Sequence, residues 1–161
     1  MTMPRRPFLT TRAHEVFALA HDLADRRGDG ALAPAHLALG VLQEGRGVAV
    51  HALHVRGVPL DALARALEAE LPAPGVPRTP PGARRWTPED ERVVEQCVHE
   101  ARELGTEYYG SEHLLLALLR DPAGAPARAL ARHGVAYEDV RAEVVRVLRP
   151  APAGPGAPPA A

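Results

Sequence analysis

The sequence is poor in the features that mark several common classes of protein. It has a single cysteine, Cys97, which excludes an internal disulfide and favours a reducing compartment. No apolar run approaches the roughly 18 residues of a membrane-spanning helix. The basic start, residues 1–7, is not followed by the apolar stretch of a signal peptide. We therefore expect a cytoplasmic chain that does not enter a membrane.

Charge and sequence motifs exclude further classes. The formal net charge is -1, so the chain lacks the strongly basic character of a nucleic-acid-binding protein. It contains no G-x-x-x-x-G-K-[ST] loop for a nucleotide, and no local signature of a Ser, His and Asp triad. We expect a non-enzymatic protein with no catalytic residues, no cofactor and no metal ligands.

An internal repeat is the strongest positive feature. When the chain is shifted by 77 positions, residues 9–71 align without a gap on residues 86–148, the register that superposes Gly28 on Gly105 and His36 on His113. Aromatic residues make up only 4% of the chain, which leaves Leu, Val and Ala to form the core. This composition favours helices, and no strands are expected.

The second repeat is predicted to contain four helices. Thr87 has the character of an N-cap, and acids follow it in the first turn of a helix that ends at Gly105. Ser111 is predicted to cap the next helix. Two more helices are expected over about 125–133 and 137–148 from the spacing of their apolar residues.

The first repeat follows the same plan. Thr10 is predicted to cap its first helix, which ends at Gly28, while Pro34 opens the second helix, Gly57 closes the third and Pro59 opens the fourth. Neither repeat looks able to bury its apolar face alone. We therefore predict an all-α fold in which two pseudo-twofold-related four-helix repeats share one core and form an eight-helix globule.

These patterns divide the chain into one domain and a tail. The domain covers 8–149, with repeat one at 8–71 and repeat two at 86–149. Residues 72–85 contain five prolines and are predicted to form an extended linker. The Pro- and Ala-rich stretch 150–161 is predicted to be a disordered tail.

Motifs in repeat two resemble a known family. Residues 108–119, YYGSEHLLLALL, resemble the pattern of Gly, a small hydroxyl residue, Glu-His and a Leu-rich helix found in the N-terminal domain of Clp unfoldases. The stretch 86–88, Trp-Thr-Pro, resembles the start of a Clp repeat, and 129–135 resembles the end of its third helix. The resemblance covers nearly all of 8–149 and implies the fold of a Clp N-terminal domain, here without the AAA+ ATPase module.

The resemblance also implies a function and candidate binding residues. Clp N-terminal domains recruit substrates and adaptors, and some recognise phosphorylated arginine through a carboxylate for the guanidinium and a Thr at a helix start for the phosphate. Repeat two retains Thr87, Ser111 and Glu112 of this pattern. Repeat one retains Thr10 but has Ala35 in place of the carboxylate.

The basic residue that often accompanies the phosphate, four positions after the Thr, corresponds to His14 in repeat one and Glu91 in repeat two. Since Glu91 would repel a phosphate, we expect at most one peptide- or phosphoarginine-binding site. It is predicted to lie around Thr87 and Glu112.

The resemblance predicts a protein-binding module that acts as an accessory or regulator of Clp-dependent degradation. Its expected partners are Clp ATPase or Clp protease subunits, adaptors and substrate proteins, and it is expected to be a monomer. The alternative is a helical peptide- or small-molecule-binding protein unconnected to Clp. Nucleic-acid binding is disfavoured by the charge balance.

Structural roles compete with functional ones at several of these residues. Glu112 can simply stabilise its own helix as a first-turn acid. The favoured role of His36 and His113 is packing with a bond to the neighbouring loop. His51 and His54 lack further metal ligands and are expected on a solvated face. Cys97 is expected to be a small buried hydrophobe.

Overall fold

The chain folds into a bundle of helices built from two similar halves. The computed structural model describes residues 5–76 and 86–149. The predicted tail and most of the predicted linker lie outside these ranges. The described residues contain eight helices and two short strands, in the order β1 (Phe8–Leu9), α1 (Thr11–Arg27), α2 (Pro34–Glu44), α3 (Val48–Val55), α4 (Leu60–Ala69), α5 (Pro88–Leu104), β2 (Tyr108–Tyr109), α6 (Ser111–Leu119), α7 (Ala125–Ala131) and α8 (Tyr137–Leu148).

The ends of the first helix in each half confirm the predicted caps. The side chain of Thr10 accepts a hydrogen bond from the backbone amide of Ala13, and that of Thr87 accepts one from Asp90. Gly28 and Gly105 end these helices in the left-handed conformation, with φ of 73° and 71°. The same local signals therefore begin and end α1 and α5.

Two predictions of local structure need correction. Gly110, and not Ser111, is the N-cap of α6, while Ser111 is its first helical residue. At this cap the backbone amide of Gly110 donates to Nδ1 of His113, three residues into the helix. Pro59 opens α4, as predicted, and is its N-cap. Two strands also form where none were expected, because β1 and β2 pair in parallel, with Phe8 opposite Tyr108.

One hydrophobic core serves both repeats. Every helix contributes buried side chains to a single cluster of Leu, Val and Ala residues. Equivalent leucines of the two repeats are fully buried in it, including Leu37 with Leu114 and Leu53 with Leu130. The shared core confirms that the two repeats complete each other. No helix within residues 5–76 and 86–149 is long and apolar enough to cross a membrane.

Salt bridges at the surface also connect the two repeats. Arg56, after α3, pairs with Asp139 of α8 at 3.3 Å and with Glu143 at 3.1 Å. Glu70, after α4, pairs with Arg128 of α7 at 2.5 Å. Each half therefore packs its last two helices against those of the other, as a pseudo-twofold arrangement requires.

Replacing Gly40 with alanine is expected to destabilise the protein by about 1–3 kcal/mol. A Cβ at this position of α2 would lie 2.7 Å from the backbone oxygen of Val16 in α1, so the two helices would have to separate. The clash outweighs the gain of about 1 kcal/mol in helix propensity. Urea unfolding measures the change. The matched control is Ala117→Gly at the equivalent position of α6, with an expected loss of about 1 kcal/mol from propensity. A stabilised Gly40→Ala variant would contradict the close approach of α1 and α2.

Candidate functional site

Two helix starts from different repeats lie side by side. The parallel pairing of β1 with β2 sets Leu9 opposite Tyr109, and the backbone amide of Thr10 donates to the carbonyl oxygen of Tyr109 at 3.2 Å. The chain then enters α1 after Thr10 and α6 after Gly110. The start of α1 in repeat one is therefore adjacent to the segment that leads into Glu112 in repeat two.

Glu112 carries a buried carboxylate at this junction between the start of α1 and the start of α6. The residue is 5% exposed, and its carboxylate folds back over Gly110, where an added Cβ would lie 2.6 Å from Oε2. Burial raises the pKa of this carboxyl, while its own backbone amide and Arg12 oppose the shift. In the described part of the chain, the carboxylate has no Arg or Lys nitrogen within 4 Å; its nearest basic group is Nδ1 of His113, at 3.6 Å from Oε1.

Arg12 supplies the positive charge beside the site. It is the second residue of α1, and its guanidinium donates to the buried carboxylate of Glu44 at 2.8 Å. Its side chain remains 42% exposed, and its charge opposes the rise in the pKa of Glu112 that burial causes. His14, the residue that the family pattern indicated here, is exposed, whereas Arg12 was not predicted from the sequence. The sequence did contain a signal for Arg12. The first turn of α1 has an Arg and no acid, whereas the first turn of α5 has three acids.

The predicted site residues lie in two separate clusters in the structure. Thr10, and not Thr87, makes the bond to the segment before Glu112. Thr87 belongs to a second cluster, in which its hydroxyl is bonded to Asp90. Ser111 lies next to Glu112 and is fully buried, with no hydrogen-bond partner for Oγ within the described residues. The two repeats thus each contribute one part of the junction.

His113 fixes the backbone of this junction. Its Nδ1 accepts from the amide of Gly110 at 2.9 Å, so the ring proton is on Nε2, which bonds Oγ1 of Thr106 at 2.9 Å. Burial lowers the pKa of His113 to about 4. His36 makes the equivalent bond to the amide of Ala33 at 2.8 Å, and its Nε2 bonds Asp29 at 2.7 Å. Both histidines are packed and bonded to the neighbouring loop, as predicted.

The other reactive side chains have structural surroundings. Cys97 is fully buried, and burial raises the pKa of its thiol. The buried carboxylate of Glu100 accepts bonds from Arg120 and from the hydroxyl of Tyr137, the latter at 2.8 Å. His51 and His54 are exposed, and no group of three or more potential metal ligands occurs among residues 5–76 and 86–149.

The sequence matches one family of domains. The sequence model of the Clp repeat (R) N-terminal domain matches residues 8–122 and 85–160. "Chaperone protein ClpB" of Oceanobacillus iheyensis is 36% identical over 139 residues, which cover 86% of this chain and 17% of that protein. "Negative regulator of genetic competence ClpC/MecB" of Bacillus subtilis is 34% identical over the same shares. The chain thus spans about a sixth of the length of these relatives.

Two solved structures share this fold. The Hsp104 N-terminal domain from Candida albicans matches with a TM-score of 0.69 and 16% identity, covering 88% of this chain and 92% of that one. The N-terminal domain of the chaperone ClpD from Arabidopsis thaliana matches with a TM-score of 0.66 and 22% identity, covering 91% and 97%. At these identities the two structures establish the shared all-α fold.

Proposed function

This chain belongs to the Clp repeat (R) N-terminal domain family, and we propose that it is a non-enzymatic binding module for substrate or adaptor proteins of a Clp ATPase. Through this binding it regulates Clp-dependent degradation. The observation that carries the proposal is the buried carboxylate of Glu112 beside the cationic start of α1. Such a junction can receive a ligand that bears a cation and an anion close together.

Phosphoarginine on a protein chain fits this chemistry. Its guanidinium would neutralise Glu112, whose burial makes an unpaired negative charge costly. Its phosphate would meet the start of α1, where Thr10 and Arg12 lie and the first turn carries no acid. One junction would then bind both the guanidinium and the phosphate of phosphoarginine.

Glu112→Gln is expected to weaken binding of a phosphoarginine peptide by about 10- to 100-fold, because a charge-assisted bond to the guanidinium becomes a neutral one. Isothermal titration calorimetry with a peptide that carries one phosphoarginine measures the loss. The matched control is Glu138→Gln, which removes an exposed first-turn acid of α8 and is expected to leave the affinity unchanged. Equal affinities of wild type and Glu112→Gln would contradict the role of this carboxylate.

The connection to Clp is tested by competition. Added to a Clp ATPase with its protease and a phosphoarginine-marked substrate, the chain is expected to slow degradation, and Glu112→Gln is expected to slow it less. If wild type leaves the degradation rate unchanged at concentrations that saturate its peptide binding, the regulatory role is wrong even where the peptide binds.

A further inference from the structure

An open cavity of about 320 Å³ lies between the end of α6, α7 and the start of α8 in repeat two. Arg120 and Tyr137 supply polar groups to its lining, and Glu112 does not line it. The apolar part of its walls includes Pro122, Ala127, Ala131 and Val135. Small-molecule sites in proteins have volumes from about 300 Å³ and combine apolar walls with a few polar groups. The cavity therefore has the size and lining of a site for a small ligand, separate from the junction around Glu112.

A buried carboxylate holds Arg120 beside this cavity. Glu100 in α5 is fully buried, and its Oε1 accepts a hydrogen bond from Nε of Arg120, while its Oε2 accepts one from the hydroxyl of Tyr137 at 2.8 Å. Burial and the bond to Glu100 raise the pKa of Tyr137 to about 12, so its hydroxyl remains a donor. The guanidinium carbon of Arg120 also lies 4.6 Å from the centre of the Tyr137 ring, the distance of a cation–π contact. A hydrogen bond and a ring contact thus fix the guanidinium in one place.

The fold of a repeat does not require this charged group. Repeat one has uncharged residues at the three equivalent positions of the 77-residue offset, Leu23, Gln43 and Leu60. Both leucines pack against the hydrophobic core. Burying a carboxylate costs free energy, and apolar side chains often stabilise such a position equally well. Stability alone therefore does not account for Glu100, whereas holding a guanidinium at the cavity does.

The fixed guanidinium is suited to a carboxylate. The side chain of Arg120 is 42% exposed, and in the described part of the chain no hydrogen bond uses its two Nη atoms. These atoms form a planar pair of donors that a carboxylate matches. Glu103, whose charge acts on Arg120, and Glu138, in the cavity wall, oppose a second negative charge on a ligand. The apolar walls can receive its hydrocarbon part.

We propose that this cavity is a second binding site, which takes a small monocarboxylic acid with a branched apolar body and pairs its carboxylate with Arg120. Glu100 is a positioning residue of this site, because it fixes the guanidinium without contacting the ligand. The inference goes beyond the proposed function and does not depend on it. A chain that bound no phosphoarginine would still bind the acid here.

A titration of the ¹⁵N-labelled chain with 4-methylpentanoate tests the inference. The largest saturable shifts are expected at the amides of 127–131 and 135–138, with a dissociation constant on the order of 1 mM. The amides of 109–113 should change little. The analogues 4-methylpentanamide, which lacks the charge, and isobutylmalonate, which carries a second carboxylate, should each bind about 10-fold more weakly. No saturable shift around the cavity, or equal binding of either analogue, would overturn the proposal.

Arg120→Gln, which copies Gln43 of repeat one, is expected to weaken binding of 4-methylpentanoate by about 10-fold. The matched control, Arg65→Gln, removes an exposed arginine of α4 and should bind like wild type. Because Arg120→Gln leaves the carboxylate of Glu100 without its cation, circular dichroism must first show that the variant is folded. If it is not, E100L/R120Q, which copies repeat one at both positions, takes its place. Unchanged binding in the folded variant would contradict the role of Arg120.

Discussion

Truncation of Leu116 to alanine is expected to lower the free energy of unfolding by about 3 kcal/mol and to destabilise both repeats in the same transition. Leu116 lies in α6 and is fully buried in the core that all eight described helices share. The truncation removes buried apolar surface and leaves a cavity that tightly packed neighbours cannot fill. Because the buried side chains of both repeats belong to one cluster, we do not expect the loss to be confined to repeat two.

Urea unfolding followed with two probes checks this expectation. Far-UV circular dichroism reports all helices. The fluorescence of Trp86 reports contact between the repeats, because its ring lies 5.1 Å from that of Phe17 in α1. Both probes should give the same lowered midpoint. Val147→Ala, at a side chain that is 41% exposed, serves as control with an expected loss below about 0.5 kcal/mol. Separate transitions for the two probes would contradict the shared core.

His113 is expected to make the protein less stable in acid, by about 3 kcal/mol between pH 7 and pH 4. Its pKa is lowered to about 4 by burial, whereas an unfolded chain has the ordinary value near 6.5. Between these values the unfolded state binds the proton and the folded state does not. Stability is therefore complete above pH 6.5 and falls as the pH drops towards 4. Protonation would also remove the acceptor for the amide of Gly110.

The variant His113→Gln isolates this effect. Glutamine can accept the bond from Gly110 at the same helix position but does not titrate. The free energy of unfolding is measured from pH 4 to pH 7, where the difference between wild type and variant should change by about 3 kcal/mol. His99→Gln, at an exposed residue, should follow wild type. Parallel curves for wild type and His113→Gln would show that this ring does not cause the loss.

Local signals were sufficient to predict the helices. Threonine caps, left-handed glycines and apolar spacing depend on a few adjacent residues, and the 77-residue offset reproduced them twice. Ser111 is not the cap of α6, although a hydroxyl is a common cap signal; the cap is Gly110, whose backbone amide donates to Nδ1 of His113. The two-residue strands have no periodicity to detect.

The grouping of the site residues could not be read from the sequence in the same way. Thr87 and Glu112 lie in the same repeat. They were paired because the family pattern was matched to one repeat at a time. The parallel contact of β1 with β2 instead brings Thr10 and Arg12 of the other repeat to this junction. Such a pairing joins residues about a hundred positions apart and depends on how the two repeats pack. The same packing sets His21 against Asp90.

Chemical-shift mapping with phosphoarginine tests most directly whether the recognition site lies between the repeats. In a titration of the ¹⁵N-labelled chain, the largest shifts are expected at the amides of 10–14 and 109–113, which belong to different repeats but to one junction. The amides of 87–91 and 33–36 should change little. Shifts centred on 87–91, or no shifts near Glu112, would contradict a site formed by the start of α1 and Glu112.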